Sequence, residues 1–245
     1  AALILREQSR ANALLQQAWQ LVNGLEGEEF VALRSELEGK LAELNKIEDL
    51  QELQVVQGAS LASVDVDKAI EERIAEALPS DSHAADAERF GQSVYVLESN
   101  TGEIFKSSGL TAGGVSFTSW VEPTSPRKPL NAKAIAIDGN IWVLAANNEI
   151  HRYFRGSYQE TIALAVFPAL QNPLRIETSP QIPYLAMLEP ELNRLVIIAK
   201  TGSIIKQYRA EAFKNAKDLA LSPDGKSVYV TDGQLVFQVF PIPSI

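Results

Sequence analysis

Residues 193–208 read NRLVIIAKTGSIIKQY. Two apolar runs rich in β-branched residues flank a Thr-Gly step, the pattern of a β-hairpin. Three further stretches share the plan: SVYVLESNTGEIFKSS (93–108), NIWVLAANNEIHRYF (140–154) and KSVYVTDGQLVFQVF (226–240). Another strand precedes three of the four: AKAIAIDG (132–139), PYLAMLEPEL (183–192) and AKDLALSPDG (216–225). Thr-Gly, Asn-Asn and Asp-Gly supply the turns.

A strand–turn–strand–turn–strand unit recurring every ~35–50 residues is the mark of a radial repeat. A single unit cannot bury both faces of its sheet, so the units stack around an axis. The opening hairpin is therefore expected to be the middle of one blade of a β-propeller, with about four blades visible.

AKAIAIDGNIWVLAANNEIHRYF (132–154) and LEPELNRLVIIAKTGSIIKQY (188–208) resemble the NHL and related six- or seven-bladed propeller repeats. Asp138, Gly139, Asn140, Ile141, Trp142 and Val143 match the earlier half of that repeat, and Asn193, Arg194 and Gly202 the later half. Ala145 departs from it, standing where the repeat usually has Asp. About four units either close a small propeller or are completed by a neighbour, by a strand from 53–67, or by sequence beyond this chain.

The N-terminal part reads differently. From Leu3 to Leu25 there is no Pro, and Leu14, Leu15, Ala18, Trp19, Leu21, Val22 and Leu25 recur at helical steps, which predicts an amphipathic helix with one buried stripe. NGLEG (23–27) ends it, and EEFVALRSELEGKLAELNKI (28–47) is a second helix with Phe30, Leu33, Leu37, Leu41 and Leu44 on one face. Together they form an antiparallel helical hairpin, either packed on itself or open to a partner as a coiled coil. LQVVQGASLASVDVD (53–67) alternates like a strand, DVDKAIEERIAEALP (65–79) reads as a third helix, and SDSHAADAERFG (80–91) as a linker. Asp65 and Asp67 lack the Gly and distal Glu of a calcium loop and read as a helix start.

The fold class is thus α+β and multidomain: a helical hairpin at 1–52, a mixed segment and linker at 53–90, and an all-β propeller-like domain at 91–245. The layout also resembles the extracytoplasmic module of bacterial membrane-anchored proteins whose cytoplasmic part is a metal-dependent protein phosphatase-like domain. No phosphatase domain lies in these residues, so the resemblance transfers no catalytic residue.

The bulk numbers agree with two different bodies. Residues 1–90 carry 8 Lys and Arg against 18 Asp and Glu; residues 91–245 carry 14 against 13. The acidic first part argues against nucleic acid as a partner, whose phosphates need a basic footprint. No apolar run approaches the ~20 residues of a membrane span, so a membrane enters only through sequence outside this chain. AALIL (1–5) reads either as the end of a longer apolar segment or as a frayed helix start. Localisation in the cell envelope is the expectation, with the cytoplasm as the alternative.

Little chemistry is legible. With 0 Cys and 2 His (His83 in the linker, His151 on a strand as a surface residue), neither a thiolate nor a histidine metal site is expected. No P-loop, G-x-G-x-x-G or G-x-S-x-G occurs, TAGGVS (111–116) reads as a loop, and Glu189 and Glu191 as turn residues. No cofactor is expected. The one local cluster is HRYFRGSY (151–158), offering Arg152, Tyr153, Arg155 and Tyr158, residue types enriched at binding hot spots. Trp120 stands beside the Pro-rich loop EPTSPRKP (122–129), a second candidate surface, while Trp142 reads as core. Three functions remain open: a non-catalytic protein-binding, scaffolding or sensor module; a propeller-type hydrolase or lactonase with a channel site; and a structural protein that oligomerises through its helices.

Overall fold

A computed structural model describes residues 2–57, 78, 82–107 and 116–243, with the backbone alone for residues 2–6, 8 and 9. The expected third helix, the Asp65/Asp67 pair, most of the 53–67 strand and all of TAGGVS but Ser116 lie outside the described residues.

Two helices come first, α1 (Ala2–Asn23) and α2 (Glu28–Leu44). Gly27, at φ +136, lets the chain reverse between them, and Glu28 and Glu29 place negative charge at the positive end of the α2 dipole. At the end of α1, Arg34 of α2 donates from Nη1 to the carbonyls of Leu25 (2.6 Å) and Val22 (3.4 Å), filling acceptors that the terminating helix leaves open. Trp19 Nε1 donates to Glu38 Oε1 at 3.1 Å, so the helices run antiparallel in register.

Two short strands follow, β1 (Ile47–Asp49) and β2 (Gln54–Val55), and then four sheets arranged as a four-blade propeller. Blade 1 is β3 (Ala84–Phe90), β4 (Ser93–Glu98), β5 (Glu103–Ser107) and β6 (Phe117–Ser119). Blade 2 is β7 (Ala134–Ile137), β8 (Ile141–Leu144), β9 (Ile150–Phe154) and β10 (Ser157–Ile162). Blade 3 is β11 (Arg175–Glu177), β12 (Tyr184–Glu189), β13 (Arg194–Ala199) and β14 (Ile204–Arg209). Blade 4 is β15 (Asp218–Leu221), β16 (Val228–Thr231) and β17 (Val236–Val239).

The two N-terminal strands complete these sheets from outside. β1 adds to β14 in parallel, pairing Ile47 with Gln207, and β2 adds to β17 antiparallel, pairing Val55 with Phe237. The segment before the first blade therefore supplies the outermost strand of the last. Residues 47–55, placed by sequence ahead of the propeller, are built into two of its blades.

Two more readings change. Residues 84–90, expected within a linker, are the first strand of blade 1 and pair with β4 along its length. The opening hairpin is the outer half of blade 3, as β13 and β14, because a three-residue strand, β11, takes the inner place ahead of PYLAMLEPEL. Three residues carry too little alternation to read.

The core lies between blades. Leu97 and Ile104 of blade 1 meet Ile135 and Val143 of blade 2. Trp142 and Leu144 on the other side of blade 2 meet Leu185 and Met187 of blade 3. Ala186 and Leu188 of blade 3 meet Leu219 and Val230 of blade 4. β8 and β12 are buried at every residue, which is why IWVL and YLAMLE show no polar alternation.

The hairpin is fixed to the propeller by a buried polar network. Arg194, fully buried, donates from Nε to Glu189 Oε2 (2.7 Å) and from Nη1 to Gln207 Oε1 (2.9 Å). Gln207 Nε2 passes the contact to the carbonyls of Asn45 (3.0 Å) and Phe167 (3.2 Å). Asn45, at the end of α2, accepts from the backbone N–H of Phe167 (3.0 Å) and exchanges hydrogen bonds with Asn12 of α1. Trp19 packs edge-on against Phe167, with ring centroids 5.4 Å apart.

Candidate functional site

The HRYFRGSY segment becomes β9, a tight turn and β10. Arg155 (φ +49) and Gly156 (φ +83) make the turn, a left-handed pair that matches the twist of a hairpin. Strand alternation then divides the four candidates. Arg152 lies over the Trp142 ring, donates to Glu160 Oε1 at 2.8 Å and to Asn140 Oδ1 at 3.1 Å, and so is already committed. Tyr153 faces the other side and is fully buried, its hydroxyl donating to the carbonyl of Arg127 at 3.2 Å; burial pushes its pKa up. Tyr158 packs edge-on against Tyr153 at 5.8 Å beneath the Arg127 guanidinium.

Trp120 joins this group. Its ring packs edge-on against Tyr95 at 6.0 Å, and its carbonyl lies against Gly156. The Pro-rich loop folds onto the same hairpin, with Ser125 Oγ accepting from Tyr158 N at 3.1 Å. The structure thus brings Trp120, Tyr153 and Tyr158 together, places Arg152 on the opposite face, and leaves Arg155 at the tip, stacked on the exposed ring of Phe154.

His151, expected at the surface, is buried under the same loop. Its Nε2 is 3.1 Å from Arg127 Nη1 and 3.3 Å from Glu149 Oε2. Burial, reinforced by Arg127, lowers its pKa and outweighs the opposing pull of Glu149. Glu189, read as a turn residue, is instead the buried partner of Arg194. Glu191 stays near the surface and accepts from Asn172 Nδ2 at 2.9 Å.

A second cluster was not legible. The innermost strands β3, β7, β11 and β15 line the axis, and each offers one link in a chain. Asp86 accepts from the backbone N–H of Ile135 at 2.9 Å. Arg175 lies 3.9 Å from Asp86 Oδ1 and 3.7 Å from Asp218 Oδ1. Burial raises the Asp86 pKa to about 6 despite Arg175, and raises Asp218 too. Nothing in the sequence places Asp86, Arg175 and Asp218 on one axis, because two of them sit in strands that could not be read. Among the described residues no group of three or more His, Cys, Asp or Glu could hold a metal ion.

The third feature is the outer side of the hairpin. α1 presents three faces. Asn12, Gln16 and Trp19 dock on the 163–170 loop, where Asn12 and Gln16 help line an open recess of about 330 Å³. Leu15 and Val22, next to that face, are half-buried. Leu14 and Leu21, on the α1 face opposite Asn12 and Gln16, are 57 and 75% exposed with Ala18 half-buried between them, and Leu25, in the turn after α1, is 44% exposed. On α2, Leu33 is 42% exposed, and helical geometry puts it beside this row. The single buried stripe expected for α1 is therefore two stripes, one covered and one open.

No protein-family profile matches the chain, and no curated protein resembles it in sequence. Solved structures similar to it include virginiamycin B lyase from Staphylococcus aureus, at 16% identity over 61% of this chain and 48% of that one, with a TM-score of 0.44. Glutaminyl cyclase from Myxococcus xanthus is similar at 12% identity over 64% and 74% of the two chains, with a TM-score of 0.47. A gluconolactonase from Xanthomonas campestris is similar at 9% identity over 68% and 60%, with a TM-score of 0.48. The chain spans about half the length of the lyase it resembles. Identities this low carry over no residue of theirs.

Proposed function

We propose that this chain is a non-catalytic protein-binding module in which the propeller is a rigid base for a helical hairpin. One observation carries the reading. The hairpin is bolted to blade 3 through Asn12, Asn45, Gln207 and Arg194, while its opposite face keeps a row of leucines in water. An apolar face held rigid and left open is what an interface core requires. The β9–β10 tip, with Arg155 and Phe154 exposed and Arg152, Tyr158 and Trp120 behind it, is a second surface in the same reading.

The scaffold or sensor role is proposed to belong to a longer, membrane-anchored protein of the cell envelope. Its support is the hairpin-plus-propeller layout and the NHL-like strands. The test uses the full chain as bait on envelope and soluble fractions, since β1 and β2 make a propeller-only fragment incomplete. A stoichiometric protein partner is expected. Turnover of a small substrate, lost on substitution of one pocket residue, would overturn the reading.

A second reading places hydrolytic chemistry at the axis. It is favoured by Asp86 and Asp218, two carboxyl groups from different blades whose pKa values both lie above the ordinary range. Hydrolysis of lactones or activated esters that disappears in Asp218→Asn, with the fold intact, would establish it.

A further inference from the structure

The row Leu14, Ala18, Leu21 follows steps of four and three residues along α1, and Leu25 continues it in the turn after the helix ends. That spacing is the seam of a helix built to pack against another helix, with large and small residues alternating. Yet α2 does not cover it: α2 meets α1 through Asn12 and Trp19, and Leu14 and Leu21 stay exposed. Leu14 and Leu21 thus form an exposed apolar edge, with Leu25 beyond the helix end, on a helix whose other face is docked.

The surroundings of the row select its occupant. Along the α2 side run Glu29 and Glu36, with Glu26 at the hairpin tip, and all three are exposed. Residues 23–44 hold six carboxylates (Glu26, Glu28, Glu29, Glu36, Glu38 and Glu43) against two cations, Arg34 and Lys40. Arg34 is turned onto the carbonyls of Leu25 and Val22, which leaves Lys40 on α2 and Arg10, one turn before Leu14, as the exposed cations nearest the row among the described residues. A second copy of this chain would bring the same acidic rim against itself. A helix with basic residues beside its apolar stripe meets both the leucines and the carboxylates.

We propose, resting on the protein-binding reading above, that the outward face of the hairpin is a docking groove for a basic amphipathic helix of another protein. Leucines or similar residues of that helix fill the row Leu14–Leu25 and the edge at Leu33, and its Lys or Arg side chains face Glu29 and Glu36. The interaction weakens as salt screens the exposed carboxylates.

The test titrates the full chain into a labelled peptide of about five helical turns, with leucines at the same seam spacing and Lys on both flanks. A twin peptide carries Glu on the flanks instead. The Lys peptide is expected to bind and the Glu peptide not. Leu21→Ser should weaken binding by about tenfold or more, as for a central interface residue. Because Leu21 is 75% exposed, the melting temperature should stay unchanged. The double variant Glu29→Lys, Glu36→Lys should weaken the Lys peptide and admit the Glu peptide. Equal binding of both peptides, or Leu21→Ser without effect, overturns the proposal. So does sedimentation showing a dimer that Leu21→Ser dissociates, since a second copy then owns the seam. A natural partner still captured by Leu21→Ser would leave the protein-binding reading standing while removing this groove from it.

Discussion

Asn12 and Asn45 exchange hydrogen bonds across the hairpin, Asn12 Nδ2 donating to Asn45 Oδ1 at 3.1 Å and Asn45 Nδ2 donating to Asn12 Oδ1 at 3.0 Å. The remaining capacity of Asn45 goes to the Leu41 carbonyl (2.8 Å) and the Phe167 N–H (3.0 Å), so its amide is fully satisfied in a buried place. Helix α1, helix α2 and the propeller loop therefore meet on one side chain.

Asn45→Ala removes a partner from each of them. It strands the Phe167 N–H in a dry environment and takes one partner each from Asn12 Nδ2 and Oδ1, which keep the Ala165 carbonyl and Gln16, at a cost of about 3 kcal/mol. For a chain of this size that is a fall of roughly 10 °C in Tm, read by a thermal melt. Asn45→Ala melting within about 2 °C of the wild type, less than about 1 kcal/mol on the same scale, would show that the network is not what holds the hairpin.

The Arg194–Glu189 pair sits deeper, at 1% and 0% side-chain exposure, with Nη2 to Oε2 at 2.6 Å. Glu189 also accepts from the backbone N–H groups of Gln171 and Asn172. Arg194→Met leaves that carboxylate buried without its cation and should cost about 3–5 kcal/mol. Adding Glu189→Gln to it should recover part of the loss, because the uncompensated charge is gone while one acceptor for the loop remains. Urea midpoints of the two variants check the order. A double variant no more stable than Arg194→Met would contradict it.

Two carboxyl groups give opposite pH dependences. Asp86 has its folded pKa raised from 3.8 to about 6, chiefly by burial, so its contribution is fully present below pH 3.8 and is lost as pH rises through 6. Glu98 is the reverse. Against the cost of burial, the Thr101 hydroxyl and the N–H groups of Thr101, His83 and Asn100 hold it at about 2, below its usual 4.5. Its contribution is present above pH 4.5 and is lost as pH falls through 2. Each amounts to a few kcal/mol on the order of 1.4 kcal/mol per pKa step. The Asp86 contribution should therefore rise from pH 7 to pH 5, against an opposing loss from His151, whose lowered pKa keeps it neutral while the unfolded chain protonates, and the Glu98 contribution should fall below pH 4. Asp86→Asn should flatten the upper limb and leave the lower one. Denaturation curves in the two ranges test the two groups separately.

The sequence carried the propeller because four hairpins, each 15 or 16 residues long, announced themselves with turn pairs between apolar runs. It also carried the helical hairpin, through periodicity and the Gly24 and Gly27 breaks. What stayed hidden was short or borrowed. β2 is two residues long and β11 three, and a strand that pairs with a partner over 150 residues away needs no local pattern. The same holds for the site residues. HRYFRGSY was visible as a composition, but alternation along β9 sends Arg152 and Tyr153 to opposite sides. The outward leucines of α1 were visible as residues, yet a helix whose apolar arc is wide enough to serve two neighbours reads as a single stripe until one neighbour is in place.

Gly156 offers the last prediction, because it separates backbone strain from contact. Its φ is +83, and a Cβ there would lie 2.5 Å from the Trp120 carbonyl oxygen, which belongs to a backbone that cannot swing aside. Gly91, at φ +62, has nothing within 4 Å of the same added atom. Gly91→Ala should therefore cost only the left-handed strain, about 1–2 kcal/mol. Gly156→Ala carries that strain and must also push the Trp120–Glu122 segment off the hairpin, losing the bond from Glu122 N to the Gly156 carbonyl at 2.9 Å. A cost of about 3 kcal/mol is expected, with the lost hydrogen bond accounting for roughly 1. Trp120 emission should also shift, because its ring leaves Tyr95. Equal losses at the two glycines, with unchanged fluorescence, would show that the Trp120 loop does not rest on the turn.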